Sequence, residues 1–387
     1  MDLEPKRLSS LDEIAPAAWN ALSDGNPFLR HEFLAALEHT GCVGPGTAWE
    51  PSHIVVSEKD TGRLVGALPL YLKHDSHGEF VFDWSWADAY ERAGGRYYPK
   101  LVASIPFTPA NGRRLLVGDP ARADEIAAAL LDAATSLCDE LDASSVHCLF
   151  PTEAEGPAFE AAGFLPRKGC MFVWHNRGYG DFDDFLAAFN AEKRKKARRE
   201  RRRIAEAGIR FEHVRGDELS KQDWDLVFGF HARTFLLHGR RPYLNRAFFA
   251  EVSRTMPENV LVIVARHGST PIAAAICFKG GGALYGRYWG SLADFHSLHF
   301  ETCYYQGIEH CIREGLQKFE PGVQGEHKIS RGFTPTPTWS WHRLADPGFH
   351  RAVQRFLTHE TAQVDAYIDL VDDHVPYRRD RRDIERI

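Results

Sequence analysis

Long apolar runs are missing from this chain. None approaches the ~18 residues that a membrane-crossing helix needs, which argues against a transmembrane protein. The opening stretch, MDLEPKRLSSLDEI, has no apolar core followed by a cleavage site, so export by a signal peptide is not expected and the cytoplasm is the expected compartment. Cysteine is sparse. Seven residues, an odd number without a CxxC pair, fit neither a disulfide scaffold nor a zinc module. Short-period repeats and low-complexity linkers are lacking as well, apart from one basic run.

What remains is an ordinary globular composition, 44% hydrophobic and 26% charged, which argues against disorder. A length of 387 residues suggests two or three domains. Charge is spread unevenly. The stretch 193–203, KRKKARRERRR, carries a local balance of +8 in a chain of net charge −6, leaving −14 on everything else. An acidic body with one concentrated cationic element predicts a single anionic contact, not a general affinity for nucleic acid.

Element order repeats. HIVVSE (53–58), RLVGALPLYL (63–72) and GEFVFDW (78–84) have strand composition and are separated by turn sequences, which predicts an antiparallel meander. RLLVG (114–118), a helix over about 121–141, SVHCLF (145–150), a short helix (155–162) and MFVWH (171–175) complete the first half. VLVIVAR (260–266), PIAAAICF (271–278) and ALYGRYWG (283–290) repeat the meander, before a helix over about 298–315 and QKFEPG (317–322). The expectation is two tandem mixed α/β domains, 1–178 and 179–387, the second opening with a basic helix over about 181–207. FDDFLAAF gives that helix an apolar start; from 193 to 203 it is polar all round and is expected to protrude.

Several segments carry a family likeness. NPFLRHEFL (26–34), VGALPLYLK (65–73), GEFVFDWSWADAY (78–90), YYPKL (97–101), IPFTPANG (105–112), YGRYWG (285–290), LHFETCYYQGIEHCI (298–312) and FEPGVQGEHKISRGF (319–333) together resemble the FemAB-like family, linked to peptidoglycan biosynthesis or recognition. The duplicated order is similar to the GNAT acyltransferase fold in tandem. The resemblance implies acyl or aminoacyl transfer to an amine acceptor, such as a cell-wall precursor or peptide, with aminoacyl-tRNA as donor. A non-catalytic protein that keeps the fold and binds such a precursor is the alternative. The [QR]xxGx[GA] turn that holds coenzyme A in GNAT enzymes is not found before either crossover helix, so acetyl-CoA is the weaker donor and no cofactor is assigned.

Amide formation needs an uncharged amine, a stabilised oxyanion and a protonated leaving group. The densest supply of suitable groups is VQGEHKISRG (323–332). Glu326, His327 and Lys328 are the catalytic candidates, with either His327 or Glu326 as the base and Gln324 and Arg331 beside them; a Glu–Lys surface pair on a polar loop is the plainer alternative. If the segment is extended, Glu326 and Lys328 share one face. Strict alternation places Tyr285, Arg287 and Trp289 on one face of their strand, suited to a planar or anionic ligand or to a half-buried cation–π stack. Gly286 and Gly290 in that strand suggest a bulge or a close backbone approach. Glu301 and Tyr305 on the following helix join the substrate-binding set, although capping alone could account for Glu301. Asp83 and Trp86 are the first-half candidates, where aromatics beside carboxylates suit a groove or an aromatic core. Cys303 and Cys311 lie on an apolar helical stripe and are packing residues, and no cluster at ligand spacing supports a metal. Lys193, Arg194, Lys195, Lys196, Arg198, Arg199, Arg201 and Arg202 are the candidates for binding tRNA or another polyanion; a solvated face that pairs with the acidic remainder of the protein is the plainer alternative.

Overall fold

The computed structural model describes residues 2–378 apart from positions 238, 293, 294 and 324. The chain forms two compact units. Unit 1 comprises Met1–Gly169, Tyr243–Glu251 and Pro337–Asp365; unit 2 comprises Cys170–Pro242, Val252–Thr336 and Ala366–Ile387.

Unit 1 contains β1 (Leu3–Leu8), β2 (Trp49–Pro51), β3 (His53–Glu58), β4 (Leu64–Leu68), β5 (Leu70–Lys73), β6 (Lys100–Ala103), β7 (Leu116–Val117) and β8 (Ser145–Leu149). Strand β9 (Leu165–His175) starts there and ends in unit 2. An antiparallel sheet has the order β1-β3-β4-β7, and a mixed run has the order β8-β6-β5-β2 with β8 and β6 parallel. The helix Ala123–Glu140 buries Ile126, Leu130 and Leu137 against Val56, Val65, Leu101 and Val146. Its 3.6-residue periodicity is what the sequence shows.

Two first-half expectations are corrected. RLVGALPLYL is not one strand. Pro69 has no N–H to continue a ladder, and the chain passes there from β4 in one sheet to β5 in the other. GEFVFDW is not a strand either. Gly78 at φ +80° and Phe80 at φ +63° break the extended path, and a helix, Trp84–Arg92, begins where the strand was expected to end.

Unit 2 contains β10 (Ile209–Arg215), β11 (Val260–His267), β12 (Thr270–Gly280), β13 (Ala283–Ser291) and β14 (Lys318–Glu320), and β15 (Thr334–Leu344) leaves it for unit 1. The order β10-β11-β12-β13 is antiparallel; β14 is parallel to β13, and β9 pairs antiparallel with β14. The crossover helix spans Leu298–Arg313 and includes a π-helical turn, Glu301–Tyr305. Its buried side chains Tyr305, Ile308 and Cys311 meet Phe172, Trp174, Cys277, Leu284 and Phe319 in the core.

The bulge in β13 is present, and it overturns the grouping of side chains built on strict alternation. Cys277 pairs with Gly286 and Ile276 with Tyr288, so Arg287 is the extra residue. One inserted residue reverses every later side chain. Tyr285 therefore shares a face with Tyr288, and Trp289 lies on the opposite one. Gly290 makes the close approach: a Cβ there would stand 1.9 Å from the Phe230 carbonyl oxygen and 2.0 Å from its carbon. Helix Lys221–Leu237 cannot retreat without leaving the sheet. Gly290→Ala is expected to cost more than about 3 kcal/mol, the range of severe overpacking, whereas Gly229→Ala, with nothing within 4 Å, should stabilise by about 0.5–1 kcal/mol through helix propensity. Thermal melts of the two variants check the contrast.

The basic helix, Ala191–Glu206, is not polar all round and does not stand clear. Ala197, Glu200 and Ile204 are buried at i, i+3 and i+7, and Asn190 caps the start by accepting the Lys193 N–H at 3.0 Å.

Candidate active site

VQGEHKISRG is not extended. Gly325 at φ +110° and Gly332 at φ +94° bracket a tight 3-10 helix, Glu326–Arg331, and glycine is needed at both positions because L side chains avoid that conformation. At three residues per turn, Lys328 and Arg331 share the inward side while Glu326 and His327 are exposed. Glu326 and Lys328 therefore do not form a common face. Glu326 accepts a hydrogen bond from Tyr367 Oη at 3.0 Å, and Gln324 lies outside the described residues.

Lys328 is 2% exposed, and its Nζ donates to the Gly322 carbonyl at 2.6 Å. Burial, reinforced by the Arg287 cation, pushes its amine down to about 7. Arg287 is itself pulled down by burial. These groups sit where two strands part: β13 and β14 pair only from Ala283–Lys318 to Tyr285–Glu320. Beyond Tyr285 the chain enters the bulge on one side and the Pro321-Gly322 turn on the other.

His327 Nε2 lies 2.8 Å from Tyr304 Oη, with the His299 and Phe300 rings 6.1 and 5.7 Å away. Partial burial of the ring, then the Lys328 and Arg331 cations, lowers His327; burial takes His299 to about 4. Both imidazoles are thus neutral at pH 7. A base that is half neutral, an uncharged imidazole–phenol pair and the half-buried Arg287 guanidinium can together take a proton from an amine and support developing negative charge.

Arg331 reaches a residue that the sequence left unmarked. Its Nη2 and Nε donate to Glu200 Oε1 and Oε2 at 2.7 and 3.1 Å, and its Nη1 donates to the His327 carbonyl at 2.6 Å. Tyr305 Oη donates to Glu200 Oε2 at 2.7 Å. The one Glu among nine cations is therefore a buried anchor that fixes the basic helix to the turn carrying Lys328. Arg201 has left the exposed face as well. It donates to Glu301 at 3.0 Å and Glu309 at 2.6 Å and lies 4.1 Å over Phe182. Lys195, Arg198, Arg199 and Arg202 are exposed, and Lys193, Arg194 and Lys196 are half-buried. Of the remaining candidates, Tyr285 is buried under Lys318, and Trp289 packs against His299.

Asp83 and Trp86 belong to unit 1, where they join a buried network that sequence reasoning missed. Lys100, fully buried, donates to Glu79 at 2.9 Å and Ser76 at 2.8 Å and is ion-paired to Asp83, which also accepts from Tyr97 Oη at 2.7 Å. Trp86 lies against Arg167 at 4.8 Å and His342 at 4.9 Å, and His342 Nδ1 meets His147 Nδ1 at 2.7 Å. Asp83 is a structural carboxylate here, not a groove residue. Among the described residues no group of three His, Cys, Asp or Glu side chains could hold a metal ion. No helix among them is long and apolar enough to cross a membrane.

The mixed sheets of the two units, each with its crossover helix, are α/β in type. The chain belongs to the FemAB-like family: the family model, described as peptidoglycan biosynthesis/recognition, matches residues 10–379. Among solved structures it is similar to FemX, with 11% identity and a TM-score of 0.54 over 91% of this chain and 100% of that one. It is also similar to L-PGS from Bacillus licheniformis, with 11% identity and a TM-score of 0.50 over 90% and 97% of the two chains. A tandem GNAT protein from the clavulanic acid biosynthesis pathway covers 89% of this chain and 99% of its own, at 15% identity and a TM-score of 0.45. The comparison with curated proteins gives no match.

Proposed function

We propose that this protein forms an amide by transferring an acyl or aminoacyl group to an amine on a peptidoglycan precursor, with aminoacyl-tRNA as the donor. The observation that carries the reading is Lys328: a buried amine poised near pH 7 where β13 and β14 part. A surface Glu–Lys pair would show neither the burial nor the shift. Lys328 would accept the proton of the attacking amine and return it to the leaving group, and His327, paired with Tyr304, precedes it in the same turn. Family membership and the FemX likeness support a cell-wall acceptor.

The tRNA donor rests on the exposed cations of the basic helix. Replacing Lys195, Arg199 and Arg202 with Gln removes three of them and leaves Glu200 and Arg201 in place. Each phosphate contact contributes about 0.7–0.9 to the log–log salt slope, so the variant should flatten the slope by about two to three units. Gel-shift titrations with bulk tRNA at several salt concentrations check this; an unchanged slope would remove the basis for a tRNA-borne donor.

A further inference from the structure

An open groove of about 540 Å³ lies within unit 2 between the basic helix and the π-helical turn. Phe182, Leu186, Ile204 and Phe211 supply apolar walls, and Glu301 and Arg201 supply charge. Glu301 is 3% exposed. Its Oε1 accepts two donors, Arg201 Nε at 3.0 Å and Gln306 Nε2 at 2.8 Å, whereas its Oε2 is buried with no hydrogen-bond partner. A buried carboxylate oxygen without a donor is costly and uncommon in a folded chain. It sits on the one π-helical turn of the described residues, a distortion frequent at functional sites.

We propose that this groove binds a primary ammonium carried on an apolar stem, with Glu301 Oε2 as its acceptor. The sign of the charge follows from the lining. Arg201 already serves both Glu301 and Glu309, and Arg198 pairs with Asp183 at 3.2 Å. Arg202, the third cation of the lining, has Glu206 at 3.9 Å, and four carboxylates, Asp181, Asp183, Glu301 and Glu309, line the groove beside these three, so the spare capacity is that of an acceptor. Burial pushes the Glu301 carboxyl up against the pull of Arg201 and Gln306, and an arriving cation would offset that desolvation. Lys328, His327 and Tyr304 do not line this groove, so its natural occupant is a second, non-reacting ammonium of the acceptor, and in that respect the inference rests on the function proposed above.

Ligand-observed NMR titrations of the full chain with n-butylamine and butan-1-ol test the groove. The wild type should bind butylamine at least about tenfold more tightly than butanol, as a hydrogen bond to a charged group commonly provides. Glu301→Gln, checked for fold by circular dichroism, should remove that preference. Ala205→Trp fills the groove from an exposed position on the basic helix and should weaken butylamine at least about tenfold, so it decides the matter if Glu301→Gln does not fold. Equal binding of amine and alcohol, or unchanged butylamine affinity in Ala205→Trp or in folded Glu301→Gln, overturns the inference. The readout is binding, so absence of acyl transfer and failure of the groove are separate results.

Discussion

Lys328→Met should lower transfer activity by about 10²–10⁴-fold, the usual contribution of a positioned acid or base, while leaving the fold intact. The substitution removes an amine whose recorded hydrogen bond goes to one carbonyl, so no ion pair is broken. Wild-type kcat/KM should rise with pH through an apparent value near 7, because the neutral amine is the base and deprotonation supplies it. Lys328→Arg should not rescue activity, since a guanidinium stays charged across that range. Stability gives an independent check. The folded amine lies near 7 and the unfolded one near its ordinary 10.5, so the unfolded chain binds more protons between those values. Wild-type stability therefore gains with pH across that window. The Met variant should be favoured most below pH 7 and lose that advantage by about pH 10.5. A shift in the pH–rate profile without this stability signature would point to a different titrating group.

The second large effect is in unit 1. Lys100→Met leaves Glu79 and Asp83 buried beside an apolar side chain, and breaking a buried pair in this way costs about 3–5 kcal/mol. At 2–4 °C per kcal/mol for a domain of this size, the melting temperature should fall by roughly 10 °C. The two carboxylates are pushed in opposite directions around one ammonium. Asp83, ion-paired to Lys100 and accepting from Tyr97, is held well below its usual range. Burial outweighs Lys100 at Glu79, whose Oε1 has no partner, and pushes it up to about 7. In the wild type Glu79 thus contributes stability that is fully present below about 4.5 and lost as pH rises through about 7. In Lys100→Met the carboxylates can relieve their isolation only by taking up protons, so the loss of stability should be smaller at pH 5.5 than at pH 8. Adding Glu79→Gln should recover part of the loss at pH 8. A pH-independent loss would mean that Lys100 acts through packing alone.

Much of the sheet framework was legible in periodicity. VLVIVAR, PIAAAICF and ALYGRYWG became β11, β12 and β13, and the helix after them carries the stripe of Ile308 and Cys311 that its spacing predicted. What escaped depends on single residues acting against their surroundings. Pro69 and Gly78 divide segments whose composition is continuous strand. Arg287 occupies a bulge that composition only hints at, through Gly286 and Gly290. Glu200 was hidden because a carboxylate among cations looks like local charge balance; its partners, Arg331 and Tyr305, are more than 100 residues away. Lys100 and Lys73 were hidden for a related reason. A Lys at the end of an apolar strand, closing β5 or opening β6, resembles an exposed end, and both side chains are fully buried, Lys73 lying 4.0 Å over Trp49. The clue was two lysines, one ending YLK and one opening KLVA, near Glu79 and Asp83 in a chain otherwise acidic outside its basic run.

The claim that organises these observations is that Lys328 serves amide formation. A single-turnover assay tests it most directly: purified protein, tRNA charged with a radiolabelled amino acid, and a peptidoglycan precursor bearing a free amine. An ester to tRNA is cleaved by mild alkali and an amide is not. The account predicts alkali-stable label in the precursor with the wild type and at least about 10²-fold slower formation of it with folded Lys328→Met. Precursor that binds to the wild type while all of the label remains alkali-labile would contradict it, and would make this a protein that recognises the precursor without modifying it.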